Sequence, residues 1–218
     1  MNEFCIAPHA SQSTPHVNMR FIGLVGGVAS GKSMVARQFA QLGAGLLDAD
    51  RAAHEVLRLP RIEAAAAARW GSGIFGPDGH IDRAGLARIV FAPPPEGPRQ
   101  REYLEQLIHP EVHRLLLRQA DAMAAAGMQV AVLDVPLLLE AGWAARCEPI
   151  VYVDAPRATR LARAVARGWS EEEFAAREAA QKSLDCKKQA AGLAVDNSGS
   201  PEQTRAQVER IWRGLVAL

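Results

Sequence analysis

The clearest chemistry in this sequence lies in eight consecutive residues. Gly26-Gly27-Val28-Ala29-Ser30-Gly31-Lys32-Ser33 has the form G-x-x-x-x-G-K-S. A glycine-rich loop of this form turns its backbone N–H groups inward, where they cradle the α- and β-phosphates of a nucleotide. Lys32 is placed to reach the β- and γ-phosphates, and the Ser33 hydroxyl to bind Mg²⁺. The motif means this only between a strand and a helix. The apolar run Phe21-Ile22-Gly23-Leu24-Val25 precedes it, and Met34 to Leu42, apolar at helical spacing, follows it and stops at Gly43. Strand, loop and helix are therefore all in place.

Phosphoryl transfer needs the phosphates held, their charge neutralised, an acceptor hydroxyl positioned and water excluded. A carboxylate near the γ-phosphate can accept the hydroxyl proton. Asp48-Ala49-Asp50 leaves the second strand on the loop's own edge of the sheet, so Asp50 is the chosen base and Asp48 the alternative. Asp50 as a helix N-cap is the competing reading. Val130-Ala131-Val132-Leu133-Asp134 is a buried strand ending in an acid, which suits Asp134 to hold Mg²⁺ through water. Arg157, Arg160, Arg163 and Arg167 follow at spacings of three, three and four. On a helix they share one stripe of about 120°. An anion before them would relieve their mutual repulsion, as under a lid closing on a triphosphate; a solvated basic face is the alternative.

The elements that must position these groups alternate. Strands are expected near residues 21–25, 45–48, 129–134, 149–154 and 192–196, short and apolar, with helices between. Such alternation predicts an α/β fold with a parallel sheet covered on both faces. Four of the five strands finish at an acid (Asp48, Asp134, Asp154, Asp196), at the edge where open α/β sheets bind ligands. Residues 51–127 are helical by pattern and longer than a connection needs, which predicts a substrate-binding insertion. Asp82 is a candidate N-cap there, and two helices are expected, Glu96 to Leu107 and Glu111 to Ala126, split by Pro110. Residues 156–189 are expected as a helical lid, with Gly168 ending one helix and Ser170-Glu171-Glu172-Glu173 opening the next. The core then comprises residues 19–50, 128–155 and 190–218, and residues 1–18 are expected as a disordered extension, with Met19 a second candidate start.

Composition narrows the classes. A net charge of +1 gives no global attraction for nucleic acid or a membrane surface. No apolar stretch approaches the ~20 residues of a membrane span. Three scattered cysteines (Cys5, Cys147, Cys186) without C-x-x-C argue against a disulfide framework or zinc site and for a reducing cytoplasm. His109 and His113 are four apart, but Pro110 stands where H-E-x-x-H has glutamate. Asp196-Asn197-Ser198-Gly199 matches a GTPase D-x-x-G by letter, yet no N-K-x-D accompanies it.

Taken in order, these pieces resemble the dephospho-coenzyme A kinases. They are the loop, Leu46-Leu47-Asp48-Ala49-Asp50 with His54, Ile81-Asp82-Arg83, Leu107-Ile108-His109-Pro110, Asp134-Val135-Pro136-Leu137-Leu138-Leu139-Glu140 and Asp196-Asn197-Ser198-Gly199. The resemblance implies a P-loop NTPase fold like the nucleoside monophosphate kinases, with a five-stranded parallel core, a helical coenzyme A-binding insertion and a small lid. It implies transfer of the ATP γ-phosphate to the ribose 3′-hydroxyl of dephospho-coenzyme A with Mg²⁺, in the cytoplasm, by a monomer or weak oligomer. Residue by residue, it implies Gly26, Ala29, Ser30, Gly31, Lys32, Ser33 and Met34 as ATP contacts, and Asp50, Lys32 and Arg163 as catalytic. Ser33 and Asp134 would hold the metal, and Asp48, His54 and His109 would bind the acceptor. The sequence departs from the family pattern at Ala29, where glycine is usual, at Met34, where threonine is frequent, and across Leu184-Asp185-Cys186-Lys187-Lys188. A nucleoside monophosphate or shikimate kinase, or a nucleotide-dependent regulator, is the competing reading.

Overall fold

A computed structural model describes residues 19–217, so the N-terminal extension and the choice of start lie outside the described residues. The chain runs β1 (Arg20–Gly26), α1 (Lys32–Gln41), β2 (Gly45–Asp48), α2 (Ala49–Val56), α3 (Pro60–Trp70), α4 (Arg83–Val90), α5 (Glu96–Ala125), β3 (Val130–Asp134) and β4 (Cys147–Asp154). It continues with α6 (Arg157–Val165), α7 (Glu171–Ala179), α8 (Leu184–Ala190), β5 (Leu193–Asp196) and α9 (Pro201–Val216). The five strands form one sheet in the order β2-β3-β1-β4-β5, and every pairing is parallel.

The central strands β1 and β3 are apolar on both sides because both faces of a parallel sheet are covered there, whereas the edge strand β5 buries only Val195. Alternate residues sort accordingly. Ile22, Leu24, Val130, Val132, Val151 and Val153 pack with Val35 and Phe39 of α1 and Val208 of α9. Val25, Ala131, Leu133 and Tyr152 pack on the opposite face with Leu116 and Ala120 of α5 and with Ala52 and Trp143. A third cluster (Val56, Ile62, Ala66, Ile74, Leu86, Val90) is built by α2, α3 and α4 with Leu104, Leu107 and Ile108 of α5. A small fourth joins loop residue Val28 to Ala164 and Phe174 of the α6–α7 hairpin.

The expected break at Pro110 is absent. Residues 96–125 form one 30-residue helix with Pro110 inside it. Proline removes one N–H and leaves the carbonyl of Gln106 without its helical donor. Gln106 and Pro110 are both exposed, so water can serve that carbonyl. Packing on either side holds the helix together: its N-terminal half belongs to the third cluster and its C-terminal half to the sheet. Buried Glu111, one residue past the proline, ties α5 to α3 through Arg61 and pairs with Arg114 at 2.6 Å.

The caps otherwise follow the sequence. Asp82 accepts from the N–H groups of Ala84 and Gly85, and Ser170 forms a capping box with Glu173. Ala29 is the one non-glycine residue at positive φ (+57°) among the described residues. A side chain in that region costs about 1–2 kcal/mol, offset in part by the larger unfolded-state entropy of glycine. Ala29→Gly is therefore expected to raise stability by up to about 1 kcal/mol. A melting temperature unchanged or lowered in thermal unfolding would show that loop packing, through Val28 and Trp169, outweighs the backbone strain.

Candidate active site

The loop leaves β1 at the centre of the sheet and enters α1 through Gly31, whose φ of +97° no other residue adopts cheaply. A Cβ on Gly31 would sit 2.1 Å from the Asn197 amide nitrogen, so glycine is required by space as well. The loop's carbonyls face away from the cradle and are taken by side chains. Ser30 O accepts from Asn197 Nδ2 (2.7 Å) and Arg163 Nη1 (3.2 Å), and Val28 O from Arg160 Nη1 (3.3 Å). Gly26 O accepts from Lys187 Nζ (3.2 Å).

The Lys32 ammonium rests on the carbonyls of Gly26 (3.5 Å) and Gly27 (3.3 Å). Burial, then Lys187 and Arg160, lower its pKa to about 8 against the pull of Asp134 and Asp50. The Asp134 pKa is raised, chiefly by burial, with Asp48 and Asp50 adding to it, while Ser33 and Lys32 beside it pull it back. Asp50 is raised by burial and by Asp48, while His54 and Lys32 pull it back. Two carboxylates, Asp134 and Asp50, thus face the loop lysine from the β2–β3 side of the sheet, with Asp48 behind them.

Two cavities meet there. One, of about 760 Å³, is lined by Val28 through Met34, Arg37 and Asp134, by Phe91, Arg101 and Glu105 of the insertion, and by Arg167, Trp169, Arg177 and Gln181 beyond β4. The other, of about 470 Å³, is mainly apolar: Ala49, Ala53, Ile108, Val112, Val135 and Trp143, with His109, His113 and Glu140. Asp50, Pro136 and Leu137 line both. The Asp50 carboxylate therefore stands where a group in one cavity faces a group in the other.

A family model for dephospho-CoA kinase matches residues 20–203. The chain belongs to the dephospho-CoA kinase family. A dephospho-CoA kinase of Symbiobacterium thermophilum is 44% identical over 200 residues, covering 89% of this chain and 81% of that protein. A solved structure from Thermus thermophilus superposes with a TM-score of 0.73 at 33% identity, over 92% of this chain and 97% of its own. The dephospho-CoA kinase of Campylobacter jejuni, at 20% identity and a TM-score of 0.63, shares the fold over 90% of this chain and 97% of its own.

Placed in this kinase fold, Ala29, Ser30, Gly31, Lys32, Ser33 and Met34 line the larger cavity, and His109 lines the smaller. Gly26 ends β1 and carries the lysine-bound carbonyl. Asp48 lines neither of the two cavities: its carboxylate accepts from Arg51 N (2.9 Å) as the N-cap of α2. The cap at this helix is thus Asp48, and Asp50 in the first turn is left free. His54, one turn beyond Asp50, is exposed and lines neither cavity.

The arginine stripe is corrected. Arg160 is 2% exposed, and its guanidinium donates to Ala155 O, Val28 O and Glu178. Arg163 donates to Ser30 O and to Asn197 O (2.8 Å), and Arg157 pairs with Glu178 at 3.2 Å. These three brace the loop and the hairpin from outside. The acid that offsets the stripe, Glu178, comes from α7, so no anion in front is required. Of the four, only Arg167 lines the larger cavity, joined by Arg177 stacked 4.0 Å over the Trp169 ring. Arg177, Gln181, Lys187 and the amide of Asn197 were not found by sequence reasoning. Asn197 had a signal in its D-N-S-G motif; Arg177 and Lys187 are single residues on ordinary helices, and Gln181 lies in the connection between them.

A proton linkage follows from Lys32. Its lowered pKa leaves it largely neutral above about pH 8 in the free protein, and bound phosphates restore its charge. Nucleotide binding is expected to take up a proton increasingly between about pH 7.5 and 9, read by calorimetry in two buffers of different ionisation enthalpy. Lys32→Arg, always charged, should abolish the buffer dependence; its persistence would assign the proton elsewhere.

Proposed function

We propose that this chain transfers the γ-phosphate of ATP to the ribose 3′-hydroxyl of dephospho-CoA, giving CoA and ADP. The observation that carries the reading is Asp50 at the junction of a phosphate-loop cavity and a mainly apolar acceptor cavity. In this reading the loop amides and Lys32 hold the β- and γ-phosphates, and Arg167 and Arg177 add positive charge from the hairpin side. Asp50 accepts the 3′-hydroxyl proton as the new O–P bond forms, and its raised pKa makes it a stronger base than an aspartate at its ordinary pKa. The acceptor's adenosine lies along Ile108 and Val112, near the His113–Trp143 ring pair, whose centroids are 4.5 Å apart.

The residues present fit Mg²⁺. Ser33 and Asp134 offer oxygen donors, and among the described residues no three His, Cys, Asp or Glu side chains converge as a cage. A magnesium ion is ordinarily held by one or two protein oxygens with phosphates and water. When bound it would neutralise phosphate charge, with Ser33 as direct ligand and Asp134 through water. Among the described residues no helix is long and apolar enough to cross a membrane. We place the enzyme in the cytoplasm as a monomer or weak oligomer, following the same family reading.

ADP release with Mg-ATP is expected with dephospho-CoA and not with AMP, CMP or shikimate, with CoA confirmed by mass. Turnover of another acceptor instead would keep the loop chemistry and discard the substrate. Asp50→Asn is expected to lower kcat by roughly 10²–10⁴ while leaving ATP affinity unchanged. In the wild type kcat/KM should fall as pH drops through the raised pKa of Asp50, since the base must be ionised. Survival of that acid limb in the asparagine variant, or near-normal turnover, would reject Asp50 as base.

A further inference from the structure

Lys187 is one of the few charged residues buried in the described structure, at 3% exposure, and nothing in the loop chemistry above requires it. It lies on α8, which packs against β1 and β4 and is started by Ser183 accepting from Cys186 N (3.2 Å). Its ammonium donates to Gly26 O (3.2 Å) across 161 positions of sequence, and to Gln181 Oε1 (2.6 Å). Gln181 in turn lines the larger cavity, and the preceding hairpin is held to the core by Lys182 N donating to Glu140 (3.0 Å). Lys187 is thus presented to the loop by a fixed backbone and oriented by a residue of the nucleotide cavity.

Lys32 donates to the same Gly26 carbonyl at 3.5 Å. Two lysines therefore share one acceptor, and only one of them faces the phosphate cavity. For Lys32 to reach a phosphate it must leave that carbonyl. A carbonyl abandoned in a buried setting loses a bond that water cannot replace, which opposes the move. We propose that Lys187 is a positioning residue for phosphoryl transfer: it keeps the Gly26 carbonyl paired, so that Lys32 is released from its own loop to the nucleotide phosphates. Like charge assists, because Lys187 and the Arg160 guanidinium both stand behind Lys32, while Asp134 and Asp50 lie across from it. Lys187 itself is balanced by Glu140 and Glu178, so its charge is tolerated without drawing on the acids of the active site.

The inference rests on the loop being the ATP site, and wild-type ADP binding tests that premise by itself. Lys187→Met, close in volume and without donors, is expected to bind ADP roughly tenfold more weakly, the loss of about one charge-assisted hydrogen bond. It should also lower kcat, with KM for dephospho-CoA within about twofold of wild type. Lys187→Arg, which keeps a donor and the charge, should recover most of both. A folded methionine variant with wild-type ADP affinity and kcat would overturn the proposal. So would an arginine variant as defective as methionine, or equal losses for donor and acceptor, since these mark a purely structural lysine. If Lys187→Met does not fold, Lys187→Gln, with a neutral donor, is expected between wild type and a tenfold loss. Wild-type ADP affinity and kcat in that variant would show that the ammonium is not needed.

Discussion

A phosphate-binding loop works by turning successive N–H groups to one side, and its carbonyls must then find donors on the other. That obligation organises this molecule. Gly26, Val28 and Ser30 present carbonyls to Lys187, Arg160, and Arg163 with Asn197, and none of these four donors is near the loop in sequence. Buried carbonyls without such partners would each be destabilising. The loop's shape is therefore held by the turn after β5 and by α6 and α8, which follow it by more than a hundred residues.

The same arrangement sets the electrostatics. Arginines and lysines gather behind the loop, and Asp48, Asp50 and Asp134 gather before it at the ends of β2 and β3. Lys32 stands between the two groups, lowered by the first and supported by the second. Interactions in this partly dry setting are less screened than at the surface. Phosphates entering the cavity meet positive charge that is already placed, and the neighbouring carboxylates call for a cation to accompany them. Asp50, raised chiefly by burial and then by Asp48, lies where the two cavities meet.

Helix α5 connects this centre to the insertion. Its first half completes the cluster built by α2, α3 and α4, and its second half lies on the sheet. His109 and His113 sit near the crossing point, in the wall of the smaller cavity. A continuous helix through Pro110 makes the smaller cavity part of the same rigid element as the core. A break there would have uncoupled the two.

Much of the fold was legible in the sequence, because strands buried on both faces must be apolar throughout and helices of this kind carry caps and periodicity. The five strands, the glycine-bounded loop, the Asp82 and Ser170 caps and the acids at the strand ends all depend on local rules. The loop motif carries its own chemistry for the same reason: its backbone geometry is dictated by neighbouring residues. What local rules cannot supply is which distant groups meet. The sequence showed a stripe of four arginines, but only the folded chain showed that Glu178 neutralises Arg160 and Arg157, leaving Arg167 and Arg177 in the cavity. It showed two acids flanking Ala49, and tertiary structure gave Asp48 the cap and left Asp50 at the junction. It showed a proline that should break a helix, and packing on both sides overrode it. Lys187 had no sequence signal at all, since a lysine on a short helix differs from any other until the fold buries it against Gly26. Local composition determined the elements and the loop; long-range burial and charge pairing decided which side chains face the chemistry.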